Sequence, residues 1–204
     1  MFPQTVSHHV RFSRGRLFAT MLVGLSIAFI RVDANGTTKD QGPGSVDNWP
    51  SGLSPETADM FCHNEVMVHA SASTVWRYLV AAEQWPTWYN EVQNIRILNS
   101  NHVLGRGSKI AWNTLGLFVE STVAECIPNE RLTWLSNTNP AGAVAYHVWV
   151  LIPIADGCKV VTEKTEAIQA SAHFTATDAY ATEHRVLQIW LNRLKALSES
   201  AKQR

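Results

Sequence analysis

The chain is poor in the marks of most chemistries. Its 204 residues hold three cysteines, Cys62, Cys126 and Cys158. Their spacings of 64 and 32 residues match no zinc or redox motif, and an odd count leaves at least one thiol outside any disulfide. One bridge is open to them in an oxidising compartment; the plainer expectation is three small buried hydrophobes. Charge is equally sparse. Charged residues make up 17% of the chain, the formal net charge is zero, and no Lys/Arg run exists. That excludes the basic footprint of a nucleic-acid binder.

The familiar catalytic signatures are missing too. There is no G-x-S-x-G, no H-E-x-x-H, no Walker loop and no dinucleotide fingerprint. "GRGS" (Gly105 to Ser108) leads into a strand rather than a helix, so it is no phosphate cradle. The eight histidines do not cluster at ligand spacing, so neither a metal nor a cofactor is expected.

What is present begins with a leader. Arg11, Arg14 and Arg16 precede an apolar run, Leu17 to Ile30, followed by "RVDANG". That order reads as a secretory signal peptide over residues 1–34, with Val32 and Ala34 placing the cut after Ala34. A secreted, lumenal or periplasmic protein is expected. The run of 14 residues is shorter than the roughly 20 of a membrane span; an uncleaved signal anchor that tethers the chain is the alternative. Loss of the leader leaves 13 basic and 16 acidic residues, which gives no pull toward anionic surfaces. Residues 35–59, rich in Gly, Pro, Ser, Asp and Asn, read as a flexible linker or loosely docked arm. Asn35-Gly36-Thr37 is a formal glycosylation sequon beside the cut.

Residues 60–204 carry the folded pattern. "FCHNEVMVHA" alternates as a strand. Ser71 is placed to cap a short helix whose Val75 and Leu79 stand four apart. Pro86 suits the first position of a second helical turn. Strands follow in "NIRILNS", "SKIAWNTLG", "LFVESTVAECI", "RLTWLSNT", "VAYHVWVLIP" and "CKVVTEKTEAI", joined by short turns as in an antiparallel meander. From Thr177 to Ser198 the period changes. Leu187, Trp190, Leu191, Leu194 and Leu197 mark one face of a helix of about six turns, with Thr182, Glu183 and Arg185 assigned to the other faces. A curved antiparallel sheet with one apolar face needs such a cover, and the gap between them is where a ligand would sit.

The segments "ASASTVWRYLV", "WPTWYNEV", "GSKIAW", "STVAECIPNERLTW", "HVWVLIP" and "DGCKVVTEK", in this order before a long terminal helix, resemble the START/Bet v 1-like superfamily. Within it the likeness is to the polyketide cyclase/dehydrase and lipid-transport group. The resemblance runs from about Val66 to Leu197. It implies an α+β helix-grip fold, a curved antiparallel sheet wrapped around a long C-terminal helix, with two short helices after the first strand. It also implies an internal cavity for a small hydrophobic, polyketide- or lipid-like molecule. Members of the group often place an acidic residue late in the last strand. Here that position falls on Lys164, with Glu163 and Glu166 beside it, and a slip of one residue would turn the face over.

Site candidates follow. His147, mid-strand and suited to proton transfer near neutral pH, is the candidate catalytic residue. Its plain account is a core histidine satisfied by a backbone carbonyl. Alternation does not decide which face of its strand it takes. Eight tryptophans are many for this length, and seven fall in the folded part. Trp85, Trp88, Tyr89, Trp112, Trp134, Trp149 and Trp190 are candidate ligand contacts, with Trp85, Trp88 and Tyr89 on one helical side. The plain account of each is core packing. Glu166 is the candidate polar contact at the far end, with His173, Asn113 and Thr114 as weaker companions. Two readings stay open. The protein binds a hydrophobic molecule and cyclises or dehydrates it, or it is a carrier or sensor without chemistry. A third reading, an interaction protein using its long helix, would be favoured by a cavity filled with side chains.

Overall fold

The computed structural model describes residues 29–32, 38–41, 49–99, 102–139, 142–168 and 176–202. Most of the expected leader, the sequon and His173 lie outside them. Two short strands, β1 (Phe29–Val32) and β2 (Thr38–Gln41), pair antiparallel with each other. The main body begins with β3 (Met60–Val68), followed by α1 (Ala72–Val80) and a 3-10 turn (Ala82–Thr87). Then come β4 (Val92–Ile97), β5 (Lys109–Thr114), β6 (Leu117–Ile127), β7 (Arg131–Asn139), β8 (Val144–Ile154) and β9 (Gly157–Ala167). The chain closes with α2 (Ala176–Lys202), 27 residues long. Among the described residues no helix is long and apolar enough to cross a membrane.

The sheet order is β1-β2-β3-β9-β8-β7-β6-β5-β4. The seven strands from β3 to β9 are antiparallel throughout, and only the β2/β3 pair is parallel. Local sequence explains the joints. Leu115 and Gly116 both have positive φ (50° and 79°), the geometry of the two-residue hairpin turn that matches strand twist. Register shifts between Gln93 and Arg96, and between Val123 and Glu125, bend the sheet as β-bulges do. At Gly157 an added Cβ would collide with the Val68 carbonyl, so glycine lets the β8–β9 turn pass close to the end of β3.

Ser71 caps α1 as expected, its Oγ accepting from the Thr74 N–H at 3.2 Å, and Val75 and Leu79 are the buried residues of that helix. The second helical turn differs. It starts at Ala82 and carries Pro86 near its end, where in the tight 3-10 spiral the proline is exposed to solvent rather than opening the helix. α2 presents Val186, Leu187, Trp190, Leu191 and Leu194 to the concave face of the sheet, all buried. Cys62 and Cys158 are buried but Cys126 is half-buried, one short of the expected three.

The convex face is closed by the arm. Trp49 packs edge-on against Phe61 and Tyr146, at ring separations of 6.1 and 5.7 Å. Leu53 is buried with Tyr146 and Val148 beneath it. The Asp59 carboxylate accepts from the Ile168 N–H at 2.8 Å. Residues 49–59 are therefore a docked arm despite a composition that reads as linker.

Candidate functional site

Strand register decides which side chains meet α2. Across β9, β8 and β7, Lys164 sits opposite His147, and His147 opposite Trp134. Glu166 sits opposite Ala145, and Ala145 opposite Ser136. These residues share the concave face. Glu163, one position along, points to the convex side, where its Oε1 meets His63 Nδ1 at 2.9 Å. The face that alternation left open for His147 is thus the concave one.

Trp190 of α2 is the hub of the concave core. Its ring lies 4.8 Å from Tyr89 in a stacked pair and 5.0 and 5.2 Å from Trp85 and Trp149. Trp112 and Trp134 follow at 6.1 and 6.2 Å. Aromatic pairs at such distances gain about 0.5–1.5 kcal/mol each beyond area burial. They also fill space. What remains between sheet and helix is a cavity of about 60 Å³, far below the roughly 300–1,000 Å³ of a typical ligand pocket. It is still enough for a few waters or a small fragment.

Tyr89, Trp112, Trp190, His147 and Glu166 line this cavity, joined by Thr114, Ser136, Lys164 and Glu183. Trp85, Trp134 and Trp149 do not line it. They stand behind the wall, fully buried, because β7 and β8 stack Trp134 and Trp149 side by side and Trp85 of the 3-10 turn packs on Trp134 and Trp190. Trp88 is half-buried at the edge, 6.3 Å from Tyr89, so the three aromatics of "WPTWY" do not act as one unit. Asn113 lies on the other face and accepts from Asn94 Nδ2 at 3.3 Å. At the mouth, Leu115 is 43% exposed while still lining the cavity.

One end of the cavity is ionic. Lys164 Nζ lies 2.8 Å from Glu166 Oε2 and 2.8 Å from Glu183 Oε1. Burial works against the ammonium, but Glu183 and Glu166 more than offset it and hold Lys164 well above its ordinary range. Beside it, burial and then the Lys164 charge push His147 well below its ordinary 6.5, so the imidazole is neutral at physiological pH. Its ring stacks on Trp134 at 5.1 Å. His147 Nδ1 has no hydrogen-bond partner among the described residues, and neither do the indole nitrogens of Trp134, Trp149 and Trp190. Trp112, by contrast, donates to Ser121 Oγ at 3.1 Å, and Ser121 meets Ser136 at 2.8 Å. Tyr89 donates to the Val186 carbonyl at 3.3 Å. Its hydroxyl is pushed above the usual range by burial and then by Glu91 and Glu183.

Glu183 was missed in the sequence, having been assigned to the outer faces of the helix. Its signal is the spacing 183, 187, 190, 194, which is one helical face. Among the described residues no group of His, Cys, Asp and Glu is arranged to hold a metal.

No family model and no curated protein matches the chain. Solved structures do. A hypothetical protein, jhp0584 from Helicobacter pylori, is 24% identical with a TM-score of 0.66, over 78% of this chain and 99% of that one. The di-domain ARO/CYC StfQ from the steffimycin biosynthetic pathway is 17% identical with a TM-score of 0.58, over 71% of this chain and 52% of its own. Ara h 8.0201 is 12% identical with a TM-score of 0.54, over 69% of this chain and 97% of its own. With seven antiparallel strands closed on a long terminal helix, the chain has the expected α+β helix-grip fold and shares it with these structures.

Proposed function

We propose that the protein binds a small, flat, largely apolar molecule in the cavity between sheet and helix and holds it without turning it over. The observation that carries this reading is a wall of Tyr89, Trp112 and Trp190 around space that the core leaves unfilled. The polar groups there argue for recognition rather than proton transfer. His147 is too weak a base, and Lys164 is clamped between two carboxylates. Tyr89 spends its hydroxyl on a backbone carbonyl. A ligand larger than a few heavy atoms must push aside the Leu115 and Leu117 side of the mouth. The small cavity, largely filled by indoles, is what the interaction-protein reading called for; against that reading stands α2, whose apolar face is already buried in its own domain.

Native mass spectrometry of protein purified from its source tests the proposal, with tryptophan-fluorescence titration of whatever co-purifies. The expected result is a bound small molecule whose affinity survives His147→Ala and drops about tenfold or more in Trp112→Ala. Chemical conversion of that molecule, lost in His147→Ala, would instead establish the cyclase- or dehydratase-like reading. That reading is motivated by the buried, unpartnered Nδ1 of His147.

A further inference from the structure

The polar end of the cavity has a chemistry of its own, and it narrows the ligand beyond size and flatness. We propose that this end selects an uncharged ligand bearing a carbonyl-type hydrogen-bond acceptor, and that the Glu166–Lys164–Glu183 triad excludes the corresponding carboxylate. The inference rests on the ligand-binding reading above.

Two wall residues each hold a buried ring nitrogen with no partner among the described residues, Trp190 Nε1 and His147 Nδ1. Trp190 is 2% exposed and His147 6%. Buried polar atoms in native proteins are nearly always bonded, so each such atom needs an explanation. Trp49, Trp88, Trp134 and Trp149 share the condition but do not line the cavity; Trp190 and His147 are the wall residues that do. An indole N–H can only donate. It calls for an acceptor on the ligand. A neutral imidazole gives or takes, and so adapts to whichever group lies next to that acceptor.

The charges then discriminate among acceptors. Lys164 is the one cationic side chain of the described wall apart from the histidine, and two carboxylates at 2.8 Å already claim it. The triad sums to one negative charge in a largely water-excluded site. A ligand carboxylate would add a second with no free cation to meet it, and like charges brought together in such a place are strongly disfavoured. A carbonyl satisfies the indole without that cost. An ammonium would suit the charge but leave the Trp190 donor facing another donor.

Three single-ring probes on one scaffold test this: acetophenone, benzylamine and benzoate, titrated into the full chain while the indole N–H resonance of Trp190 is followed by NMR. The ring is kept small so that Leu115 and Leu117 shift least. Acetophenone is expected to move the Trp190 signal and to bind about tenfold or more tighter than benzoate. Glu183→Gln brings the triad to neutral and is expected to shrink that ratio by about half an order of magnitude or more. Glu166→Gln, a second route to the same charge, should do likewise. Benzoate binding as tightly as acetophenone, or a ratio unmoved in both variants, overturns the inference while leaving ligand binding intact. Failure of all three probes to bind overturns the ligand reading and the inference with it.

Discussion

The two faces of the sheet solve the same burial problem with different materials. The concave face is covered by a helix and packed with indoles, and it keeps a cavity whose wall residues His147 and Trp190 each hold a buried, unpartnered nitrogen. The convex face is covered by eleven residues of arm, 49–59, and one half-buried indole, Trp49. It keeps a buried His63–Glu163 contact at 2.9 Å. The difference teaches how each cover treats the polar atoms it buries. The concave core leaves His147 Nδ1 and the indole nitrogens of Trp134, Trp149 and Trp190 without a partner among the described residues, and two of these four belong to residues of the cavity wall; on the convex side the Trp49 indole and the Thr165 hydroxyl go unpaired. Each prediction below alters one side of that contrast and leaves the other standing.

The largest effect is expected at the aromatic hub. Trp190→Ala removes the ring that touches five others and should cost about 3–5 kcal/mol in urea unfolding, as large-to-small changes in a packed core do. Trp49→Ala, at the half-buried convex seal, should cost about 1–2 kcal/mol. Equal losses would mean that the arm is as integral as the helix, and the contrast between the faces would fail.

How much of this was readable in the sequence follows from the kind of signal each part gives. Strand alternation and the i, i+3, i+4 run of Leu187, Trp190 and Leu191 report burial directly, so sheet, helix and their order were legible. Of the β5–β6 turn the sequence carries only Gly116, a residue that adopts the positive φ of a tight hairpin at no steric cost. His147 was not placed, because β8 is apolar on both faces and register depends on its neighbours. The arm was left open between linker and docked segment, because Gly, Pro and Ser turn chemistry masks the two anchoring residues, Trp49 and Leu53. The triad was hidden for a different reason. Lys164 and Glu166 are local in sequence, but Glu183 joins them only after α2 folds back, and an acidic residue in the first turns of a helix reads as solvated.

A smaller effect separates the faces by pH. His147 titrates well below 6.5 when folded, for reasons of burial and then of Lys164. Above its ordinary value both folded and unfolded chains hold it neutral, and it contributes nothing. Below that value the unfolded chain takes up a proton that the folded chain refuses, so stability falls by up to about 1.4 kcal/mol per pH unit until the folded value is reached. On the outer face Glu65 is lowered as well, but by charged partners rather than by burial. Burial raises it, but Lys159 and His63 outweigh burial and hold it below 4.5. Its contribution is present above that value and is lost as pH falls through the lower, folded one. Unfolding curves collected from pH 7.5 to 4 should show a decline starting near 6.5 that His147→Phe abolishes. The phenyl ring keeps the stack on Trp134 without the titration. A decline that persists in that variant would mean that another group, not the concave face, sets acid sensitivity.

The smallest effect on stability is expected at the mouth. Leu115 lines the cavity yet is 43% exposed, and it sits at positive φ in the two-residue turn. Its side chain therefore contributes little to the core, and Leu115→Ser should change stability by no more than about 0.5 kcal/mol. Kinetics should respond where stability does not. If the leucine must move aside before a ligand reaches Trp112 and Trp190, the serine variant should raise the association rate severalfold in stopped-flow fluorescence. An affinity that shifts less than the rate would place the leucine in the path of the ligand rather than in its binding contacts. An unchanged association rate would show that the ligand reaches the cavity elsewhere along α2, and the concave face would then have no gate in its β5–β6 turn.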